Sequence, residues 1–463
     1  MRPFFAFSML TTGNLAFPLG QAMHSLRLVL LCFLVLPTVG CAAPPSSRPA
    51  PAPPNVIFIL ADDMGYADIA PFGAQDIRTP ALDRLAREGV KLTDNYSNGP
   101  VCTPTRAAFI TGRYQQRVGL EWAILPAQRD AGLHAGAPSL ARALKARRYA
   151  TALVGKWHLG TKPEFAPNAH GFDEFFGILG GNADMYSHQN AIGEHVFFEN
   201  DKPAVRTGYL TDLFNERALE FVEKHRAAPF FLYLAYNAAH WPFQPPDDPK
   251  QVRTKETWYD GSRQDYAAMI ERMDRGIGQL LDALDRLGLA KDTLVIFTHD
   301  NGGERLSRND PLRDKKGTLW EGGIRVPALA RWPGKFAAHA TCNLPVMTMD
   351  WTASILNAAG AHPSAPLDGI DLLPWLQKPD TPPPTRTLFW RKNRPDFTQK
   401  AARQGRWKYL LDGTTEHLFD LSADAAESHD VAAQHPRIVR ELRAAVQAWE
   451  QDVDRVPPPL RVL

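Results

Sequence analysis

The sequence predicts an α/β protein with a mainly parallel central sheet flanked by helices and a smaller α+β C-terminal subdomain. Three observations predict it. Short runs rich in branched and aromatic residues alternate with longer helical patterns. Those runs are apolar at nearly every position, which suits strands buried on both faces. After about residue 370 the alternation gives way to a Pro-rich stretch and short strand-like pieces.

In chain order, Val56–Leu60 reads as the first strand and Pro80–Glu88 as the first helix, opened by a proline that fits a first turn. Pro138–Arg148 reads as a helix leading into a strand at Ala150–Val154. A helix over Thr211–His225 precedes a strand at Phe230–Tyr236. The long Gln264–Leu287 segment repeats Tyr266, Ile270, Ile277, Leu281 and Leu284 at helical spacing, before a strand at Thr293–Thr298 and a helix at Met349–Ala358. The expected divisions are a catalytic domain over 55–370 and a subdomain over 371–463. The latter holds strands at Thr387–Trp390, Trp407–Leu411 and His417–Leu421 and a last helix over Pro436–Val453.

With 463 residues the chain is long enough for a large core, and 22% charged residues is ordinary for a globular protein. Fifty-two Lys+Arg against 50 Asp+Glu gives no basic excess of the kind that marks a nucleic-acid partner. Four cysteines do not make a disulfide scaffold.

Residues 1–54 contain no Asp or Glu, and the apolar run Leu28–Leu36 is too short to span a membrane. Arg27 before it and Val39-Gly40-Cys41 after it give a secretory signal layout. Two processing routes stay open. Cleavage before Cys41 would leave a lipidated Cys41 as a bacterial membrane anchor, the only membrane attachment expected. Ordinary cleavage near Ala43 would release a periplasmic protein. Met23 would also serve as a start. Residues 42–54 then form a stiff Pro-rich tether.

Polar groups cluster just after the predicted strands: Asp62-Asp63, then Lys156 and His158, then His240, then Asp300-Asn301. Ligand sites in open α/β sheets form at the carboxyl ends of strands. Two carboxylates meeting at one point repel unless a cation lies between them. Asp62, Asp63, Asp300 and Asn301 are all oxygen donors, which favours Ca²⁺ or Mg²⁺ over zinc. The plain alternative for each pair is a solvated turn or a helix cap. In Pro100-Val101-Cys102-Thr103-Pro104-Thr105-Arg106, Pro104 fits a first helical turn. Cys102 then sits at a helix N-terminus that favours anions, with Arg106 near the same end. That suits a nucleophile attacking an anionic group; the alternative is a small buried thiol.

Pro100 to Gly112 (PVCTPTRAAFITG) resembles the first signature of the type I sulfatases, with its Cys-x-Pro-x-Arg core. NVIFILADD at 55–63, GKWHLG at 155–160, HDNGG at 299–303 and KGTLWEGGIRVP at 316–327 match the same family in kind and order. The resemblance covers about residues 54–430. It implies an alkaline phosphatase-like fold and hydrolysis of aryl or carbohydrate sulfate monoesters. It also implies a Cys102 oxidised by a separate maturation enzyme to Cα-formylglycine. Of the two hydroxyls of the hydrated aldehyde, one attacks sulfur and the other, once deprotonated, lets sulfate leave.

The resemblance further implies a calcium (or magnesium) site built from Asp62, Asp63, Asp300, Asn301 and an oxygen of modified Cys102. Arg106 would pair with that group and the carboxylates, while Lys156 and Lys316 hold sulfate oxygens. His158 would be the base that releases sulfate, and His240, with Lys316, would serve the leaving-group oxygen. Lys315 is adjacent to Lys316, but the Lys-Gly-Thr match selects the latter. The sequence departs from the family at Arg148, where Gly is common. It departs again at His299, where a smaller residue is usual, and before His240, where Pro is frequent. Asn95-Tyr96-Ser97 is taken as a chance glycosylation match. Trp241, Phe243, Tyr186, His188 and Trp320 are candidate pocket aromatics. Two other functions compete: a phosphate or phosphonate ester hydrolase of the same superfamily, and a lipoprotein that binds sulfated glycans without turnover. With Cys32 lost, Cys41 lipidated or lost and Cys102 modified, Cys342 alone would remain a thiol, and no intrachain disulfide is expected.

Overall fold

The strand Asn55–Ala61 is the axis of the molecule, and all seven of its residues are buried. Because successive side chains point to opposite faces, Val56, Phe58 and Leu60 join one core with Phe109 and Trp351. Ile57, Ile59 and Ala61 join the other with Phe214 and Ile277. A computed structural model describes residues 53–247, 253–378, 381–394 and 397–455. The expected signal segment, Cys32, Cys41 and the expected tether up to residue 52 lie outside the described residues.

The main sheet has ten strands in the order Ala340–Cys342, Val90–Leu92, Ala328–Arg331, Thr293–His299, Asn55–Ala61, Phe230–Ala235, Ala150–Lys156, Glu174–Ile178, Phe197–Glu199 and Lys202–Pro203. Its centre, from Thr293–His299 to Glu174–Ile178, is parallel. Its flanks are not: Ala328–Arg331 runs antiparallel to both neighbours, and the two strands beyond Glu174–Ile178 are also antiparallel. The sheet is therefore mixed, and the flanking strands were not foreseen because pieces of two to four residues carry no periodic signal.

Register fixes the edge where function would sit. Ala61 pairs with His299, Leu60 with Ala235, and Gly155 with Ala235. All four predicted strand ends therefore finish at one level. Gly155 is required there: a Cβ on it would lie 1.9 Å from the Ala235 carbonyl oxygen, and its φ is +115°.

Pro80–Glu88 and Pro436–Val453 have the expected bounds, Leu210–Lys224 and Arg263–Arg286 begin and end one residue earlier than expected, and Thr348–Ala358 begins one residue earlier. The helix expected over Pro138–Arg148 is shorter, Leu140–Ala146, because Ser139 caps it through its side chain and Arg148 turns left-handed at φ 64°.

The C-terminal part is an antiparallel meander of Thr387–Asn393, Thr398–Gln404, Trp407–Asp412 and Thr415–Asp420. The Pro436–Val453 helix packs on it through Val439, Leu442 and Val446. It is joined to the larger part by a buried ionic cluster. Lys408 Nζ meets Glu321 at 2.9 Å and Glu427 at 2.8 Å, and Tyr96 OH donates to Glu321 at 2.6 Å. Among the described residues Cys102 and Cys342 are both free thiols; Cys342 is half-buried. No helix among the described residues is long and apolar enough to cross a membrane.

Candidate active site

Asp62 and Asp63 follow directly on the central strand. Asp63 adopts φ 56°, which ends the extended backbone and lets both carboxylates serve one side. Cys102 opens the helix Cys102–Thr111, every residue of which is buried. Val101 precedes it without a side-chain cap, so the helix N-terminus keeps its affinity for anions. Ligand atoms of Asp62, Asp63, Cys102 and His240 all lie within 4.8 Å of one another. Cys102 Sγ is 3.5 Å from Asp62 Oδ1.

Asp300 and Asn301 reach the same point from Thr293–His299. Asp300 Oδ1 accepts from the Asp63 backbone at 3.4 Å, and Asn301 Nδ2 donates to Asp63 Oδ1 at 2.7 Å. Beneath them Arg106 is wholly buried and donates to the Lys156 carbonyl oxygen at 2.8 Å. Lys156 Nζ meets Asp62 Oδ2 at 2.5 Å, and Lys316 Nζ meets Asp63 Oδ2 at 2.5 Å. Above lies a cavity of about 450 Å³ lined by Cys102, His158, His240, Trp241 and Lys316. Lys156, fully buried against Asp62, does not line it, so the two lysines are not equivalent.

The electrostatics follow from burial. Burial, then the Asp300 charge, pushes Asp62 up to about 7. Burial acts the same way on Asp300, but Arg106 and Lys156 outweigh it and hold that carboxyl low. Burial and the Asp62 carboxylate push the Cys102 thiol well above its ordinary range, so an unmodified Cys102 is a poor nucleophile. Burial and the neighbouring lysines keep His158 and His240 neutral.

The two imidazoles present different nitrogens. His158 Nε2 donates to the Ile124 carbonyl at 2.9 Å, and its buried Nδ1 has no partner. His240 Nδ1 donates to the Trp241 carbonyl at 2.6 Å, leaving Nε2 3.4 Å from Asp63. Ile124 also donates its N–H to Thr103 Oγ1 at 3.2 Å, and Thr103 donates to the His158 carbonyl at 2.9 Å. This clasp was missed, because a backbone carbonyl that orients a histidine leaves no mark on residue type.

The residues present fit a hard cation. Three carboxylates and an amide converge with only lysine and arginine between them, and the buried Asn301 Oδ1 has no partner. His299 does not intrude: its Nδ1 donates to the Met64 carbonyl at 2.9 Å, and burial takes its pKa down to about 4.

Of the five candidate pocket aromatics only Trp241 lines this cavity. Phe243 and His188 are buried in the core, the latter against Phe197. Tyr186 packs on Tyr209, and Trp320 sits against Phe419 in the C-terminal contact. Aromatic content cannot tell core from cavity, and four of these five pack in the core or at the C-terminal contact instead.

Parallel strands that deliver carboxylates, lysines and histidines to a buried cysteine at a helix N-terminus define a hydrolase of anionic esters. The family model for sulfatases matches residues 54–361, and the chain belongs to that family. It is a sulfuric ester hydrolase. It is 33% identical over 460 residues to arylsulfatase A of Bos taurus, covering 87% of this chain and 88% of that one. It is 35% identical over 357 residues to N-acetylgalactosamine-6-sulfatase of Rattus norvegicus, covering 71% and 66%. Among solved structures, Ps i-CgsB in complex with k-i-k-neocarrahexaose superposes with a TM-score of 0.79 at 33% identity, covering 87% of this chain and 94% of that one.

Proposed function

We propose that the protein cleaves carbohydrate or aryl sulfate monoesters through a formylglycine made from Cys102 and a calcium or magnesium ion. The observation that supports this reading best is the meeting of Asp62, Asp63, Cys102 and His240 at an uncapped helix N-terminus below the cavity.

Asp62, Asp63, Asp300 and Asn301 would hold the ion, which when bound polarises the ester and lowers the pKa of an attached oxygen. Oxidised and hydrated, position 102 supplies a nucleophile that releases sulfate without attack of water at sulfur. Arg106 fixes Asp300 and the helix to each other. Lys316, in the cavity, offsets charge on the sulfate oxygens. His158, whose Nδ1 has no protein partner, accepts the proton whose removal frees sulfate. The His240 proton is committed to Trp241, so of the pair Lys316 and His240 it is Lys316 that carries a proton to the leaving alcohol. The oxidation of Cys102 calls for a maturation enzyme. The signal layout supports export, with attachment through a lipidated Cys41.

Mass spectrometry of the Cys102 peptide from the native organism tests the nucleophile: an aldehyde is expected, and an intact thiol there refutes it. Kinetics on matched sulfate and phosphate esters test the reaction, and a strong phosphate preference would overturn it. Labelling with radioactive palmitate in wild type and Cys41→Ser tests the anchor; label retained by the variant defeats it.

A further inference from the structure

The cleft does not end at the catalytic cavity. A second chamber of about 550 Å³ adjoins it, and the two share Ala123, Ile124, Leu125 and Gln128. The shared residues belong to an irregular loop that forms a saddle between the chambers. The same loop carries the Ile124 carbonyl that orients His158, so a ligand crossing the saddle stays next to the reacting group.

Two side chains in the second chamber are placed to meet a ligand. Gln116 is only 3% exposed, yet neither its amide nitrogen nor its amide oxygen has a partner. A buried amide left unpaired on both atoms is costly and rare. What satisfies it must both donate and accept, as sugar hydroxyls do. Trp122 also lines this chamber, half-buried, with the Arg394 guanidinium 4.9 Å and the Lys392 ammonium 5.6 Å from its ring centroid. Such a ring offers an apolar platform to the C–H face of a pyranose. Arg391 is not available to a ligand, since Glu121, Glu450 and Asp454 already engage it.

We propose that the second chamber is a distal sugar subsite. The sulfated sugar occupies the catalytic cavity, and the neighbouring sugar of the same chain crosses Ala123–Leu125, stacks on Trp122 and pairs its hydroxyls with Gln116. This deepens the sulfatase reading above and rests on it: the substrate class is an oligosaccharide sulfate, because a simple aryl alcohol leaves the Gln116 amide unmet.

The test uses full-length enzyme whose Cys102 aldehyde has been verified. Its probes are a size series, mono- to tetrasaccharide, of sulfated galactosaminoglycan and sulfated galactan fragments, alongside 4-methylumbelliferyl sulfate. In wild type kcat/KM rises at least tenfold from monosaccharide to longer fragments. In Trp122→Ala and Gln116→Ala that gain disappears, while turnover of 4-methylumbelliferyl sulfate stays within twofold. Trp122 is half-buried, so its variant keeps the test alive if the Gln116 variant folds poorly. A flat size series in wild type, or variants that lose aryl and oligosaccharide turnover in parallel, overturns the subsite and leaves the sulfatase reading standing. Absence of turnover on every sulfate ester overturns both.

Discussion

Arg106 grips a single oxygen of Asp300: its Nε and one terminal nitrogen lie 3.0 and 2.8 Å from Oδ2. Both side chains are fully buried, and the other Asp300 oxygen is thereby turned toward Asp63. Removing one partner of such a pair strands the other charge. Arg106→Ala is therefore expected to lose about 3–5 kcal/mol of stability along with activity. Arg106→Lys keeps the charge but not the fork and falls between. Urea unfolding measures both; an Arg106→Ala loss below about 1 kcal/mol would falsify this account.

Cys102→Ala removes one buried sulfur atom and no hydrogen bond that the fold depends on. Turnover is expected to vanish while stability falls by about 1 kcal/mol. Circular dichroism and a sulfate-release assay separate the two, and near-wild-type activity would remove Cys102 from the mechanism.

On the proposed metal site, calcium should raise the melting temperature, since only the folded chain assembles the carboxylates that would hold it. Saturation at a hundredfold over Kd corresponds to about 2.7 kcal/mol. Chelation should reverse the gain, and Asn301→Ala, which deletes the unpartnered Oδ1, should shrink it. An equal shift in wild type and variant would exclude Asn301 as a ligand.

The buried cluster at the C-terminal contact makes stability depend on pH from both sides. Burial opposes the Glu321 charge, but Lys408 and the nearby arginines win and bring it down to about 2. Burial prevails at Glu427 and pushes it up to about 7. Below about 4.5 the unfolded chain takes up a proton that folded Glu321 does not, so stability falls with acid. Between about 4.5 and 7 folded Glu427 holds a proton that the unfolded chain releases, so stability falls as pH rises, by up to about 1.4 kcal/mol per unit. Glu427→Gln, permanently neutral, should lessen the upper slope without touching the acid one, the remainder coming from Asp62, which burial also pushes up to about 7. Unfolding midpoints at pH 5 and 8 decide it.

Arg148 is exposed and left-handed at φ 64°, a conformation that costs a side-chain-bearing residue about 1–2 kcal/mol. Arg148→Gly should stabilise the protein by roughly 0.5–1 kcal/mol without touching kcat. A lower melting temperature in that variant would mean the arginine makes a compensating contact.

Much of this was legible in the chain because of where its apolar runs stop. Val56–Leu60, Ala150–Val154, Phe230–Tyr236 and Thr293–Thr298 are buried on both faces, so each run ends where polar function begins. The strand Thr398–Gln404 (TQKAARQ) was not legible, because its polar residues are buried by partners distant in sequence: Gln399 accepts the Leu319 N–H at 2.9 Å, and Arg403 reaches Tyr96. The different duties of Lys156 and Lys316 were hidden too, since both motifs simply offer a lysine and only the packing puts one of them out of reach of the cavity. Gln116 and Thr103 act through position rather than type.

Every residue of the Cys102–Thr111 helix is buried, and Cys102, which opens onto the cavity, is itself 2% exposed. On the proposed reading, a second protein would not reach a thiol that is 2% exposed on the wall of the cavity, so oxidation of Cys102 would have to precede closure of the fold, and a copy that folds with its thiol intact would stay inactive.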